Sequence, residues 1–95
     1  ASDIHVEPQE STIRVRYRID GILYDHVQVP RQHQMAMLSR LKVMSGLDIA
    51  ERRRPQDGRF TIRDDGNREF DIRLSIMPTV YGEKACMRLL EKHNT

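Results

Sequence analysis

Ninety-five residues, 38% hydrophobic and 32% charged, suffice for one modest core; they exclude a disordered chain and leave no room for a second domain. The net charge of +2 is too small to argue polyanion binding, although the choice of thirteen arginines against three lysines (Lys42, Lys84, Lys92) favours forked recognition of anions or dense salt bridging. A single cysteine, Cys86, excludes an intramolecular disulfide and a multi-cysteine zinc site, and no run approaches the ~18 apolar residues of a membrane span.

In chain order, Asp3 to Glu7 reads as a first strand before Pro8. Thr12 to Ile19 alternates, with Ile13, Val15, Tyr17 and Ile19 facing one way and Arg14, Arg16 and Arg18 the other. Asp20-Gly21 is a two-residue hairpin turn that returns the chain as Ile22 to Val29. Pro30 is suited to the first position of a helix, and Met35, Leu38, Leu41 and Met44, with Met37 alongside, form its expected apolar stripe. Gly46 fits a left-handed stop with Leu47 folding back onto the helix. Residues 48–57 read as a connector, in which Pro55 pushes Arg54 toward extended geometry.

Phe60 and Ile62 begin a strand that turns at Asp64-Asp65-Gly66-Asn67. Its partner alternates Phe70, Ile72, Leu74 and Ile76 and ends near Pro78. After Gly82, the run Glu83 to Leu90 is apolar on both sides, which predicts a strand covered twice, with Cys86 packed as a small core residue. The fold class is α+β: a mostly antiparallel sheet with one main helix packed on it, a single domain over residues 1–95.

Several constellations carry chemistry. Arg14, Arg16 and Arg18 stand in a row, spaced ~7 Å apart along one strand face, either to bind an anion or to pair with Asp25 or Glu7. Arg31 lies at the expected helix start, where free backbone N–H groups favour an anion, or it is a solvated first-turn residue. His5 and Glu7 share a strand face, but without partners nearby they are read as structural or surface groups, and no metal site is expected. The basic run Arg52 to Arg54 reads as a loop paired with Glu51, Asp48 and Asp57. With five aromatics and no recognition helix, direct nucleic-acid binding is a minor alternative. No glycine builds a phosphate-binding loop of the form G-x-x-x-x-G-K-[ST], and no nucleophile elbow or zinc-protease helix occurs, so no catalytic centre is expected in this chain.

Five stretches occur together in order: "ASDIHVEP" (1–8), "RVRYRIDGIL" (14–23), "SRLKVMSGLDIAERRRPQDGRF" (39–60), "SIMPTVYGEK" (75–84) and "MRLL" (87–90). In this combination the chain closely resembles the second N-terminal domain, PAS-like in fold, that precedes the RecA-like motor of type II secretion and type IV pilus assembly ATPases. Arg54 and Pro30 depart from the family pattern. The resemblance implies an excised, non-catalytic piece of a cytoplasmic hexameric ATPase, peripheral at the inner membrane through the assembled machine. Its partners would be the motor domains of the same and neighbouring subunits and the secretion or pilus machinery, without direct nucleic acid and without a transmembrane segment. ATP and Mg²⁺ would belong to the full-length protein and no cofactor to this piece. On the same ground Arg16 and Arg31, with Arg18 and Arg40 as further matches, would reach the nucleotide phosphates. Arg53, Asp57 and Arg59 would form an interdomain scaffold. The competing classes are an isolated sensory PAS-like module, an arginine-rich nucleic-acid binder and a cyclic-dinucleotide receptor.

Overall fold

The alternating segments pair into one six-stranded sheet of order β3-β2-β1-β6-β5-β4, with every neighbouring pair antiparallel. The computed structural model describes residues 2–19 and 21–92, excluding the side chains of residues 23–27. The strands are β1 (Ser2–Pro8), β2 (Thr12–Ile19), β3 (Ile22–Pro30), β4 (Gln56–Arg63), β5 (Glu69–Thr79) and β6 (Gly82–Lys92). Between β3 and β4 lie a 3-10 turn (Arg31–His33) and the helix α1 (Gln34–Met44). The α+β expectation therefore holds. Ile19 pairs with Ile22 as the hairpin reading requires, although Asp20 of the turn lies outside the described residues.

Period-two alternation sends Val6, Ile13, Leu74, Ile76 and Ala85 to one face, where Leu38 of α1 closes the core over them. Ile76 and Ala85 are wholly buried and Ile13 is 1% exposed, and each large aliphatic side chain so buried stabilises the fold by about 1.5–3 kcal/mol. Ile4, Val29, Met37, Leu41, Leu47 and Met87 pack around this centre.

Helix α1 departs from its expected start and face. Pro30 ends β3 in extended geometry (φ −56°, ψ 141°) and the chain passes through a 3-10 turn, so α1 begins at Gln34. The core-facing residues are Met37, Leu38, Leu41 and Lys42, while Met35 and Met44 are 58% and 39% exposed. The reason is geometric: three-residue steps fall short of a turn by ~60° each, so a stripe from residue 35 to 44 winds half-way round the helix. The stop is as expected. Gly46 has φ +71°, its N–H donates to Val43 O at 3.2 Å, and Leu47 N–H donates to Lys42 O at 2.8 Å, which completes a Schellman motif.

The connector also differs, because β4 begins at Gln56 and takes in the Asp57-Gly58 pair. Gly58 lets the end of α1 lie directly on the sheet: a Cβ there would sit 2.9 Å from both Ser45 Cβ and Ser45 O and 3.0 Å from Leu47 Cδ2. At the 64–67 turn the left-handed residue is Asn67 (φ 63°), and Asp64 Oδ1 accepts from Arg68 N–H at 2.8 Å. Residues 83–90 were expected to be covered on both faces. Instead, β6 is an interior strand flanked by β1 and β5, and α1 covers one face only. Cys86 is accordingly half-buried on the other face rather than in the core.

Candidate functional site

The face turned away from α1 carries the polar half of each alternating strand. Asp3, His5 and Glu7 of β1 stand beside Arg18, Arg16 and Arg14 of β2, in that order of pairing. Across β1 the register continues through Cys86 and Arg88 of β6, Ser75 and Arg73 of β5, and Asp57 and Arg59 of β4. Much of this face is a shallow trough of about 630 Å³ between β2 and β4.

On the same face, outside the residues that line the trough, Arg16 is held in place rather than solvated. Its Nε–H donates to Glu7 Oε1 at 3.2 Å, and Nη2 donates to the same oxygen. Burial pushes the Glu7 carboxyl up, but the Arg16 hydrogen bond and charge, aided by Lys84 and His5, more than reverse this and hold it below the usual carboxylate range. Of the two readings open for the arginine row, cross-strand pairing with Glu7 is thus realised at Arg16; the side chain of Asp25 lies outside the described residues. Burial, and then the nearby Asp3 carboxylate, push the Cys86 thiol up, which makes it a poor nucleophile at neutral pH. The buried Nδ1 of His5 has no hydrogen-bond partner among the described residues.

Arg18 is exposed and lines the trough together with Asp57 and Arg59. Asp57 Oδ1 accepts from Ser75 Oγ at 2.8 Å, and Arg59 stands opposite Arg73. Arg31 lies elsewhere. Its Nη1 donates to Gln9 O at 2.5 Å and its Nη2 to Tyr81 O, which ties the β1–β2 turn to the β5–β6 turn. Arg31 also lines a cleft on the α1 side with Gln34, Arg52, Thr79 and Glu83, so Arg16 and Arg31 are not brought into one cluster. Its position in the 3-10 turn also removes it from the first turn of α1, where a helix-start anion site was expected. Arg40 is exposed on α1, and Arg53 is exposed in the connector, where its backbone N–H donates to Glu51 Oε1 at 2.8 Å. The expected pairing of Arg52, Arg53 and Arg54 with nearby acids is not made, and none of the three enters an ion pair among the described residues.

Sequence reasoning missed a buried ion pair. Lys42 Nζ lies 2.8 Å from Glu83 Oε1 and 2.8 Å from Glu51 O, which links α1, β6 and the connector. The available signal was Lys42 itself, one residue after Leu41 and four after Leu38, on the side of the helix that must face the sheet. Arg73 and Arg88 were also missed as members of the open face.

A family model described as type II/IV secretion system protein matches residues 1–95. The chain belongs to that family. It is 55% identical over 94 residues to the type IV pilus assembly ATPase PilB of Myxococcus xanthus, a match covering 99% of this chain and 17% of that protein. It is 51% identical over 92 residues to the type II secretion system protein E of Xanthomonas campestris pv. campestris, covering 97% and 16%. Against the type II secretion system ATPase E of Vibrio cholerae the identity is 48% over 95 residues, covering 100% and 19%. The chain thus spans less than a fifth of the length of these relatives. Both secretion and pilus proteins match at similar identity, so the family is fixed and the branch is not.

Proposed function

We propose that this chain is the PAS-like module of a hexameric ATPase powering type II secretion or type IV pilus assembly, and that it completes the nucleotide site of a motor segment outside residues 1–95. The observation that carries this reading is the near-complete match, at about half identity, to proteins named as secretion and pilus assembly ATPases. In this reading Mg²⁺ and ATP are held by the motor segment, and this chain carries no cofactor of its own. The module itself performs no hydrolysis. No helix among the described residues is long and apolar enough to cross a membrane, and the proposed place of work is the cytoplasmic side of the inner membrane.

Arg16 is the principal phosphate contact. Glu7 holds its guanidinium in an ordered position on the open face, and an incoming phosphate, with more charge than one carboxylate, draws the fork across. Supplying this charge from a separate domain makes hydrolysis depend on domain closure. Arg31 joins it by giving up its carbonyl contacts at Gln9 and Tyr81. Arg18 and Arg40 are secondary phosphate contacts. Arg53, Asp57 and Arg59 are contacts to the motor, and they pass its movement to the neighbouring subunit.

The test is Arg16→Ala in the full-length protein. ATP turnover should fall by about 10²-fold, as when one preorganised charge donor is removed, with far-UV circular dichroism unchanged. Turnover within about twofold of the parent would overturn the reading. Arg16→Ala is the cleaner probe, because Arg31→Ala also unties two turns.

A further inference from the structure

The cleft on the α1 side lies apart from the open face. It has a volume of about 410 Å³ between the start of α1 and the β5–β6 turn, with Met35, Leu38 and Pro78 as apolar lining and Arg31 and Arg52 as cations. Adjoining it is a pocket of about 30 Å³ that reaches the buried Lys42–Glu83 pair. Met35, Leu38, Arg52 and Glu83 line both spaces. Of these four, Leu38 and Glu83 are buried, whereas Met35 and Arg52 are exposed. Exposed side chains change rotamer rapidly, so Met35 and Arg52 can open the pocket to the cleft.

Two features here have no explanation within residues 1–95. Lys42 takes Glu83 Oε1, but Glu83 Oε2 is buried without a hydrogen-bond partner among the described residues, on a residue only 7% exposed. A buried carboxylate oxygen left in this way forfeits a charge-assisted hydrogen bond. The β5–β6 turn beside the cleft carries Val80, 95% exposed, and Tyr81, 46% exposed, where turns ordinarily carry polar residues or Gly. Arg31 Nη2 donates to Tyr81 O, which fastens this apolar tip to the edge of the cleft. Natural sequences retain such local conflict where a function requires it.

The charges select the occupant. Arg31, Arg52 and Lys42 surround a single carboxylate, so the site repels a further cation and favours an anionic group. Glu83 Oε2, in contrast, requires a hydrogen-bond donor, which neither a free phosphate ester nor a nucleic-acid backbone brings. A peptide brings both: a backbone N–H for Oε2 and an acidic side chain for the Arg52 fork. Its apolar side chains meet Met35, Leu38 and Pro78 in the cleft and Val80 and Tyr81 at its edge, a mixture typical of protein interfaces.

We propose that this cleft docks an acidic, partly apolar peptide segment supplied by the full-length protein outside residues 1–95. Arg52 meets its carboxylate, Glu83 Oε2 accepts its backbone N–H, and Met35 turns aside to admit it. The inference rests on the reading above that this chain works inside a longer ATPase, the chain being less than a fifth of the length of its relatives. It adds a site on the opposite side of the sheet from Arg16 and assigns a partner to Arg52, to Glu83 and to the Val80–Tyr81 tip.

The experiment places a photoreactive residue, p-benzoylphenylalanine, at position 80 of the full-length protein, where the exposure of Val80 tolerates it. After irradiation the links are mapped by mass spectrometry. Links to a segment outside residues 1–95 that contains Asp or Glu are expected. Adding Arg52→Glu should lower their yield about tenfold, as when a charge-assisted hydrogen bond is lost, with far-UV circular dichroism unchanged. Links that are absent, confined to residues 1–95, directed to a segment without Asp or Glu, or equally frequent in Arg52→Glu would show a solvated cleft and overturn the proposal. A fluorescent single-stranded oligonucleotide is titrated in parallel. Binding by the parent that Arg52→Glu abolishes would assign the cleft to nucleic acid and also overturn it. The readouts separate the two proposals: Arg52-dependent links formed while Arg16→Ala leaves turnover intact would keep the docking site and remove the phosphate contact.

Discussion

Replacing Lys42 by Met is the sharpest test of how this fold is held together. Lys42 is 2% exposed and Glu83 7%, and Lys42 Nζ satisfies both Glu83 Oε1 and Glu51 O at 2.8 Å. Glu83 Oε2 is already buried without a partner among the described residues, so loss of the ammonium leaves the carboxylate with no counter-charge. Breaking one side of such a pair costs about 3–5 kcal/mol. A chain of 95 residues has a total stability on the order of 5–14 kcal/mol, so Lys42→Met consumes from a fifth to nearly all of it. At roughly 4–8 °C per kcal/mol for a domain of this size, the midpoint of thermal unfolding should fall by more than ~10 °C. Urea denaturation should show the same loss with an unchanged m-value. Adding Glu83→Leu should restore most of the stability, because a matched apolar pair removes the stranded charge. A Lys42→Met variant within ~0.5 kcal/mol of the parent, or a double variant no better than the single, would refute the assignment.

Gly58→Ala drives a methyl group against Ser45 and Leu47, and since two of the three close atoms are backbone or Cβ, the strain should cost about 1–3 kcal/mol in urea denaturation. The depressed Glu7 carboxyl stabilises the fold fully above its unfolded pKa of about 4.3, and this contribution is lost as pH falls through the lower folded value. The parent should therefore lose more stability than Glu7→Gln between about pH 5 and pH 3, as followed by thermal melts across that range; parallel curves would remove the Arg16–Glu7 pair from the account.

Local rules read much of the fold directly. The Ile13-Arg14-Val15-Arg16-Tyr17 alternation, the Ile19–Ile22 hairpin and the Gly46-Leu47 stop each depend on a few neighbouring residues, and each is present as expected. The readings that failed needed information from elsewhere in the chain. The apolar run around Cys86 looks covered on both faces because a strand's flanking partners cannot be read from the strand itself. Here β1 and β5 enclose β6 edgewise while the Cys86 face stays open. The α1 stripe was misplaced because methionines on an exposed helix face resemble core residues in a pattern of apolar positions.

The candidate site divides in the same way. Arg16 was visible as one of three arginines on a strand face, but its hold on Glu7 arises only when β1 lies beside β2. Arg31 was visible at the expected helix start, yet its carbonyl partners come from turns 22 and 50 residues away. By itself the sequence determined the family, the strand alternation, the turns and the helix stop, because short-range sterics and side-chain period govern these. Only the tertiary structure decided that Lys42 meets Glu83, and that Arg18, Arg88, Arg73 and Arg59 share one rung. Strand order and register set those meetings, and both emerge from packing the whole sheet against α1 rather than from any one segment.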